Sequence, residues 1–130
     1  MATIKRFEDL EIWQLSRELC QTVYQIITTT PLSNSYKLRD QIDASSGSIM
    51  DNIAEGFERD GKKEFRQFLS IAKGSCGETR SQLYRVYDRK YISQEKFEET
   101  KENTIILSKK MSSFIRYLNN SDFDGTKYRK

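Results

Sequence analysis

Residues 45–59 read SSGSIMDNIAEGFER, a stretch in which most side chains are small or neutral. Apolar residues run up to it and through it at steps of four and seven: Leu38, Ile42, Ile49 and Ile53. Such steps place residues on one face of a helix, because a helix turns once every 3.6 residues. Residues 44–50 carry no charge, so the middle of this predicted helix has no charged face to turn to water.

A polar stripe runs beside the apolar one, and small residues accompany it here and on the next predicted helix. A glycine inside a helix costs about 1 kcal/mol relative to alanine, so Gly47, Gly74 and Gly77 need a compensating contact. We expect another backbone to approach them closely, either inside the bundle or across a subunit contact. The alternative is that these residues form a neutral polar surface, or that their small side chains fill space within one tight bundle. The packing or subunit-contact candidates are Gln41, Ser45, Gly47, Ser48, Asn52, Glu55, Gly74, Ser75 and Glu78. If Asn52 and Glu55 are buried, they need partners, which Gln41, Ser75, Glu78 or Arg80 could supply.

Outward from this stretch, the chain divides into four predicted helices: about residues 8–29, 35–58 and 62–90, and a fourth that Ser93 caps. Pro31 separates the first two, and Asp60-Gly61 ends the second. On the first helix, the apolar stripe is expected to include Tyr24. Short connections force neighbouring helices to run antiparallel, which predicts an all-α, up-down-up-down four-helix bundle. Residues 1–119 form this single domain, and residues 120–130 are predicted to be a flexible tail.

The composition narrows the classes of function. None of the 130 residues is histidine, which argues against Ser-His-Asp nucleophile systems and ordinary zinc sites. Cys20 and Cys76 lie among apolar helical positions, as small buried residues in a reducing compartment do. No apolar run approaches the ~20 residues that span a bilayer, and no secretory segment is evident at the start. We therefore predict a cytoplasmic protein that uses no metal, cofactor or membrane.

The charge is concentrated in one segment. The chain carries a net +3, whereas residues 61–90 alone hold eight cations against three carboxylates. Lys62, Arg66, Lys73 and Arg80 fall close to one line along the third helix, as phosphate binding requires. The candidate nucleic-acid contacts are Arg59, Lys62, Lys63, Arg66, Lys73, Arg80, Arg85 and Arg89. Tyr84 and Tyr87 could stack on bases. A row of charges is also typical of a solvated face, so a protein-docking scaffold remains the alternative.

An enzyme is the third hypothesis. It requires Glu55, Glu64 and Glu78 to approach one another between the second and third helices, because clustered carboxylates can bind a metal. Without histidine, a phosphate-binding loop or a catalytic cysteine environment, we predict that the protein is not an enzyme.

Several motifs resemble the four-helix family of 23S rRNA intervening-sequence proteins, also labelled S23 ribosomal protein: FEDLEIWQLSREL at 7–19, SIMDNIAEGFER at 48–59 and EFRQFLSIAKGS at 64–75. The resemblance covers about Phe7 to Leu118. It implies a small helical bundle, and some relatives are accessory factors of retroelements that form ring-shaped homopentamers and engage nucleic acid and a reverse transcriptase. The matched positions are Trp13, Gln41, Ser48, Ile49, Asn52, Ile53, Ala54, Glu55, Gly56, Phe65, Gly74, Ser75 and Glu78. The chain departs from the family pattern at Gly77 and at Arg89-Lys90.

Overall fold

The computed structural model describes residues 4–120, which form four long helices and two short 3-10 helices. The long helices are α1 (Glu11–Thr29), α2 (Tyr36–Glu58), α3 (Lys62–Asp88) and α4 (Gln94–Asn120), and the 3-10 helices are Phe7–Asp9 and Pro31–Asn34. Residues 4–120 contain no strand. The all-α prediction is therefore confirmed, with four helices in the predicted order.

The helix ends follow local chemistry that the sequence displays. Asp60 has a φ of 65°, a left-handed conformation that ends α2, and Gly61 then begins α3 as its N-cap. The hydroxyl of Ser93 accepts a hydrogen bond from the backbone N–H of Lys96 at 3.0 Å, so the predicted cap is confirmed. Leu32 is fully buried and anchors the connection that Pro31 opens.

Four predicted boundaries differ from the structure, the start of the second helix by one residue because Ser35 is the N-cap of α2. The first helix begins at Glu11 rather than Glu8, because Leu10 is in an extended conformation that buries its side chain. The third ends at Asp88, since Lys90 has a φ of 62°. Asn120, placed in the predicted tail, is the last residue of α4, and residues 121–130 lie outside the described part of the chain.

The helices pack in chain order, and α4 closes against α1. Hydrogen bonds show that α2 and α3 run antiparallel, since Gln41 contacts Arg85 whereas Ser48 contacts Ser75. The core consists of buried aliphatic and aromatic side chains from all four helices. Tyr24 is 64% exposed, so its predicted place in the apolar stripe is wrong. Val23 takes the core position, and the next residue lies ~100° further round the helix.

Both cysteines are free thiols inside the helical packing. Cys76 is buried and donates to the carbonyl oxygen of Thr104 at 3.3 Å, and burial raises the pKa of its thiol to about 11. Cys20 is half-buried and donates to the carbonyl oxygen of Ser46 at 3.2 Å, and burial raises its pKa as well. Neither sulfur is present as the nucleophilic thiolate near neutral pH.

Candidate nucleic-acid interface

The polar stripe of α2 lies along its seam with α3, where most of its members form hydrogen bonds. Ser45 Oγ is buried and donates to Gln82 Oε1 at 2.6 Å. The hydroxyls of Ser48 and Ser75 are 3.0 Å apart. Asn52 Nδ2 donates back to the carbonyl and hydroxyl oxygens of Ser48, at 2.8 and 2.9 Å. These polar groups therefore find partners within one subunit.

The partners differ in part from the predicted ones. Gln41 Oε1 accepts a hydrogen bond from Arg85 at 3.0 Å. Ser75 does not bond to Asn52 directly; it bonds to the hydroxyl of Ser48, which in turn accepts from Asn52. Glu55 is exposed and pairs with Arg59, one turn along its own helix, at 2.9 Å. Glu78 is also exposed and accepts from Gln82 at 3.4 Å. The buried carboxylate considered from sequence therefore does not occur at Glu55.

The four glycines inside α2 and α3 separate into two groups. A Cβ atom added at Gly56 would lie 2.6 Å from Cβ of Phe68, so this glycine lets α2 and α3 approach closely. A Cβ added at Gly47, Gly74 or Gly77 would meet nothing within 4 Å. Close approach of a backbone inside the bundle, one of the two explanations predicted for these three glycines, is therefore wrong.

Four cations line the flank of α3 that faces α4. Arg66, Lys73 and Arg80 repeat every seven residues, and Lys62 is one turn before Arg66. Tyr84, one turn after Arg80, contacts Phe97 of α4, which fixes the side on which the row lies. Within residues 4–120, none of Arg66, Lys73 and Arg80 forms an ion pair. We call these three residues the cation row.

The remaining cationic candidates do not join the cation row. Arg59 pairs with Glu55 and lies 5.3 Å from the ring centre of Phe68, and Arg85 binds Gln41 across the α2 seam. Lys63 and Arg89 are exposed at the two ends of α3, off the line of the row.

Lys101 of α4 is a cation that sequence reasoning missed. Its Nζ lies 5.8 Å from the ring centre of Tyr84 and 3.3 Å from a carboxylate oxygen of Glu98. Charges of both signs alternate around it in the sequence, so no local pattern marks it. Only the register of α4 against α3 places it beside the row.

The two tyrosines predicted to stack on bases occupy different environments. Tyr87 is half-buried and stacks on Phe97, with ring centres 4.5 Å apart and an angle of 14°. Phe97 therefore covers one face of Tyr87. Tyr84 remains 45% exposed and meets Phe97 edge to face at 4.9 Å.

Charge is divided between the two central helices. Along α2, five carboxylates face two cations, whereas α3 carries six cations against three carboxylates. Glu55, Glu64 and Glu78 do not gather into a metal site, because residues 4–120 hold no group of three or more potential ligands. No helix in the described part of the chain is long and apolar enough to cross a bilayer.

These features define a small all-α protein of four helices with one basic helical flank. The chain belongs to the family of 23S rRNA-intervening sequence proteins, because the family's sequence model matches residues 8–113. A crystal structure of a protein of unknown function from the S23 ribosomal protein family of Bacteroides thetaiotaomicron VPI-5482 is similar, with a TM-score of 0.73 and 25% sequence identity. The match covers 81% of this chain and 98% of the other. No curated protein sequence matches the chain.

Proposed function

We propose that this protein is a non-enzymatic, oligomeric accessory protein that binds RNA or DNA through phosphate contacts on α3. The observation that carries the proposal is the cation row. Its three side chains are ~10.5 Å apart along the helix axis, since each residue adds 1.5 Å. They have no carboxylate partner within residues 4–120. A row ~21 Å long spans about six base pairs of duplex, at 3.4 Å for each phosphate of one strand.

A binding titration at several salt concentrations tests the proposal. We expect fluorescence anisotropy to show binding of a labelled RNA or DNA duplex at low salt. The logarithm of the binding constant should fall linearly with the logarithm of salt, with a slope of about −3 or steeper, because each neutralised phosphate contributes ~0.9. Absence of binding at low ionic strength would refute the proposal and leave the scaffold as the better account.

A second observation favours assembly into an oligomer. Ile71 is 53% exposed on α3 and shares its outer face with Gly74. Ala44 is exposed on the outer face of α2, and one turn later the Ser48–Ser75 hydrogen bond joins α2 to α3. Gly47 is half-buried and also lines a groove with Cys20 and Tyr24 of α1, so it forms the edge of this surface nearer to α1. We call Ala44, Gly47, Ile71 and Gly74 the α2–α3 shelf. An exposed isoleucine among side chains this small leaves room for the backbone of a second subunit.

The assembly that we propose is a homopentamer, which the family resemblance implies. A protein partner such as a reverse transcriptase would bind to this assembly. We place it in the cytoplasm, where free thiols persist.

Mass measurement tests the assembly. Light scattering is expected to give five times the 15.3 kDa chain mass for the wild type. Gly74→Arg should reduce the assembly to smaller species, because the long charged side chain blocks the α2–α3 shelf. Ser113→Arg adds the same charge to α4 and serves as the matched control. A monomeric wild type, or Gly74→Arg that assembles like the control, would contradict this contact.

The scaffold alternative rests on the same shelf. In that case, assembly and protein docking are the whole function, and the cation row only keeps the protein in solution. The two candidates are separated by the salt titration, since a scaffold would assemble normally and retain no duplex. Loss of assembly in Gly74→Arg with no duplex binding by either protein would favour the scaffold.

A further inference from the structure

Gly77 opens a gap in the side chains along the cation row. Lys73, Gly77, Arg80 and Tyr84 follow steps of four, three and four, so they share one flank of α3. A Cβ at Gly77 would meet nothing within 4 Å. The glycine therefore leaves a notch between two cations and an aromatic ring, and no packing inside the subunit explains it.

The ring of Tyr84 is held in place at one end of this notch. Phe97 lies under it at 4.9 Å with an angle of 71° between the rings, and Phe97 is itself only 3% exposed. Tyr87 stacks on Phe97 and completes a small aromatic cluster. The 45% exposure of Tyr84 thus belongs to a ring whose orientation packing fixes. Little conformational entropy is lost when another flat group contacts such a ring.

Charges surround the notch unequally. Lys73, Arg80 and Lys101 contribute three cations, and Lys101 Nζ lies 5.8 Å from the centre of the Tyr84 ring. The carboxylate of Glu98 is neutralised in part by Lys101 at 3.3 Å. Glu78 follows Gly77 directly in the sequence but lies about 100° further round α3, and Asp88 is exposed one turn after Tyr84. The balance at the notch favours an anion that also presents a flat face.

We propose that this notch binds an unpaired nucleotide, with its base on the ring of Tyr84 and its phosphates at Lys73, Arg80 and Lys101. This inference rests on the proposed function and names its preferred ligand, single-stranded nucleic acid or a duplex with an unpaired end. Bases inside a duplex are stacked on both faces and cannot reach an aromatic side chain, whereas unpaired bases can. Gly77 provides the space that the sugar and base require next to the helix backbone.

Anisotropy titrations compare a labelled single-stranded oligonucleotide with a blunt duplex of the same length. Tyr84→Ala is expected to weaken single-strand binding about 5- to 150-fold, the range that loss of one stacked base produces. Duplex binding should stay within about 2-fold, because the phosphate contacts remain. Tyr84→Phe should bind like the wild type. Tyr24→Ala and Tyr36→Ala remove more exposed rings from other helices and serve as matched controls.

Gly77→Leu provides a test that removes neither ring nor charge. It fills the notch and should weaken single-strand binding while duplex binding persists, and thermal unfolding should show an intact fold. Equal losses for strand and duplex, or no loss in either Tyr84→Ala or Gly77→Leu, would overturn the inference. A wild type that binds neither ligand would instead refute the proposed function. Titrations with single-stranded RNA and DNA of the same sequence distinguish a contact to the 2′-hydroxyl group, which only RNA has, from base stacking, which both allow.

Discussion

Replacing Arg66, Lys73 and Arg80 together by glutamine is expected to weaken duplex binding about 100-fold or more at ~0.1 M salt. Each phosphate contact releases counterions, and three contacts change the salt slope by ~2.7. The salt dependence of the variant should therefore become shallower by about three. The fold should persist, because none of the three forms an ion pair within residues 4–120.

A control of equal charge distinguishes the cation row from net charge. Lys5, Arg17 and Lys37 are exposed and lie outside α3, and their replacement by glutamine removes the same three charges. If binding depends only on the overall charge of the protein, both triple variants lose affinity equally. We expect the control to retain most of the affinity and nearly the wild-type salt slope. Equal losses would show that α3 is not the interface.

The sequence predicts those features that local chemistry determines. The end of α2 at Asp60-Gly61, the cap at Ser93 and the apolar periodicity of α2 are set within a few residues, and they appear as predicted. Contacts between residues of different helices are harder to predict. Lys101 and Tyr84 adjoin only because α4 packs on α3 in one register, and a sequence does not display that register.

The same limit explains one question that the sequence leaves open and one error. The sequence does not decide whether Glu55 is buried, because Glu55 continues the polar stripe; in the structure the stripe turns gradually out of the seam, and Glu55 pairs with Arg59 at the surface. The predicted apolar stripe wrongly includes Tyr24 because periodicity alone does not rank three apolar residues within four positions, Val23, Tyr24 and Ile26. Each of these depends on a few tens of degrees of helix rotation, which packing decides.

Gly56, in the segment SIMDNIAEGFER, gives the prediction with the largest effect on stability. Gly56→Ala is expected to lower the free energy of unfolding by about 1–3 kcal/mol, the cost of adding a group to a filled interface. Its Cβ would lie 2.6 Å from Cβ of Phe68 and 3.0 Å from Cδ1 of Phe65. A rotamer change cannot move a Cβ atom, so α2 and α3 must separate. Urea unfolding at matched protein concentration measures the change.

Gly47→Ala is the matched control, and its effect should have the opposite sign. Nothing lies within 4 Å of its added Cβ, so below the concentration at which subunits associate the alanine should raise stability by up to about 1 kcal/mol. A gain at Gly56 as large as that at Gly47 would contradict the close approach of α2 and α3. In assembled protein the gain at Gly47 should shrink or reverse if a neighbouring backbone covers the α2–α3 shelf. The stability change caused by Gly47→Ala, measured at several protein concentrations, therefore distinguishes a solvent-exposed helix surface from one that contacts another subunit.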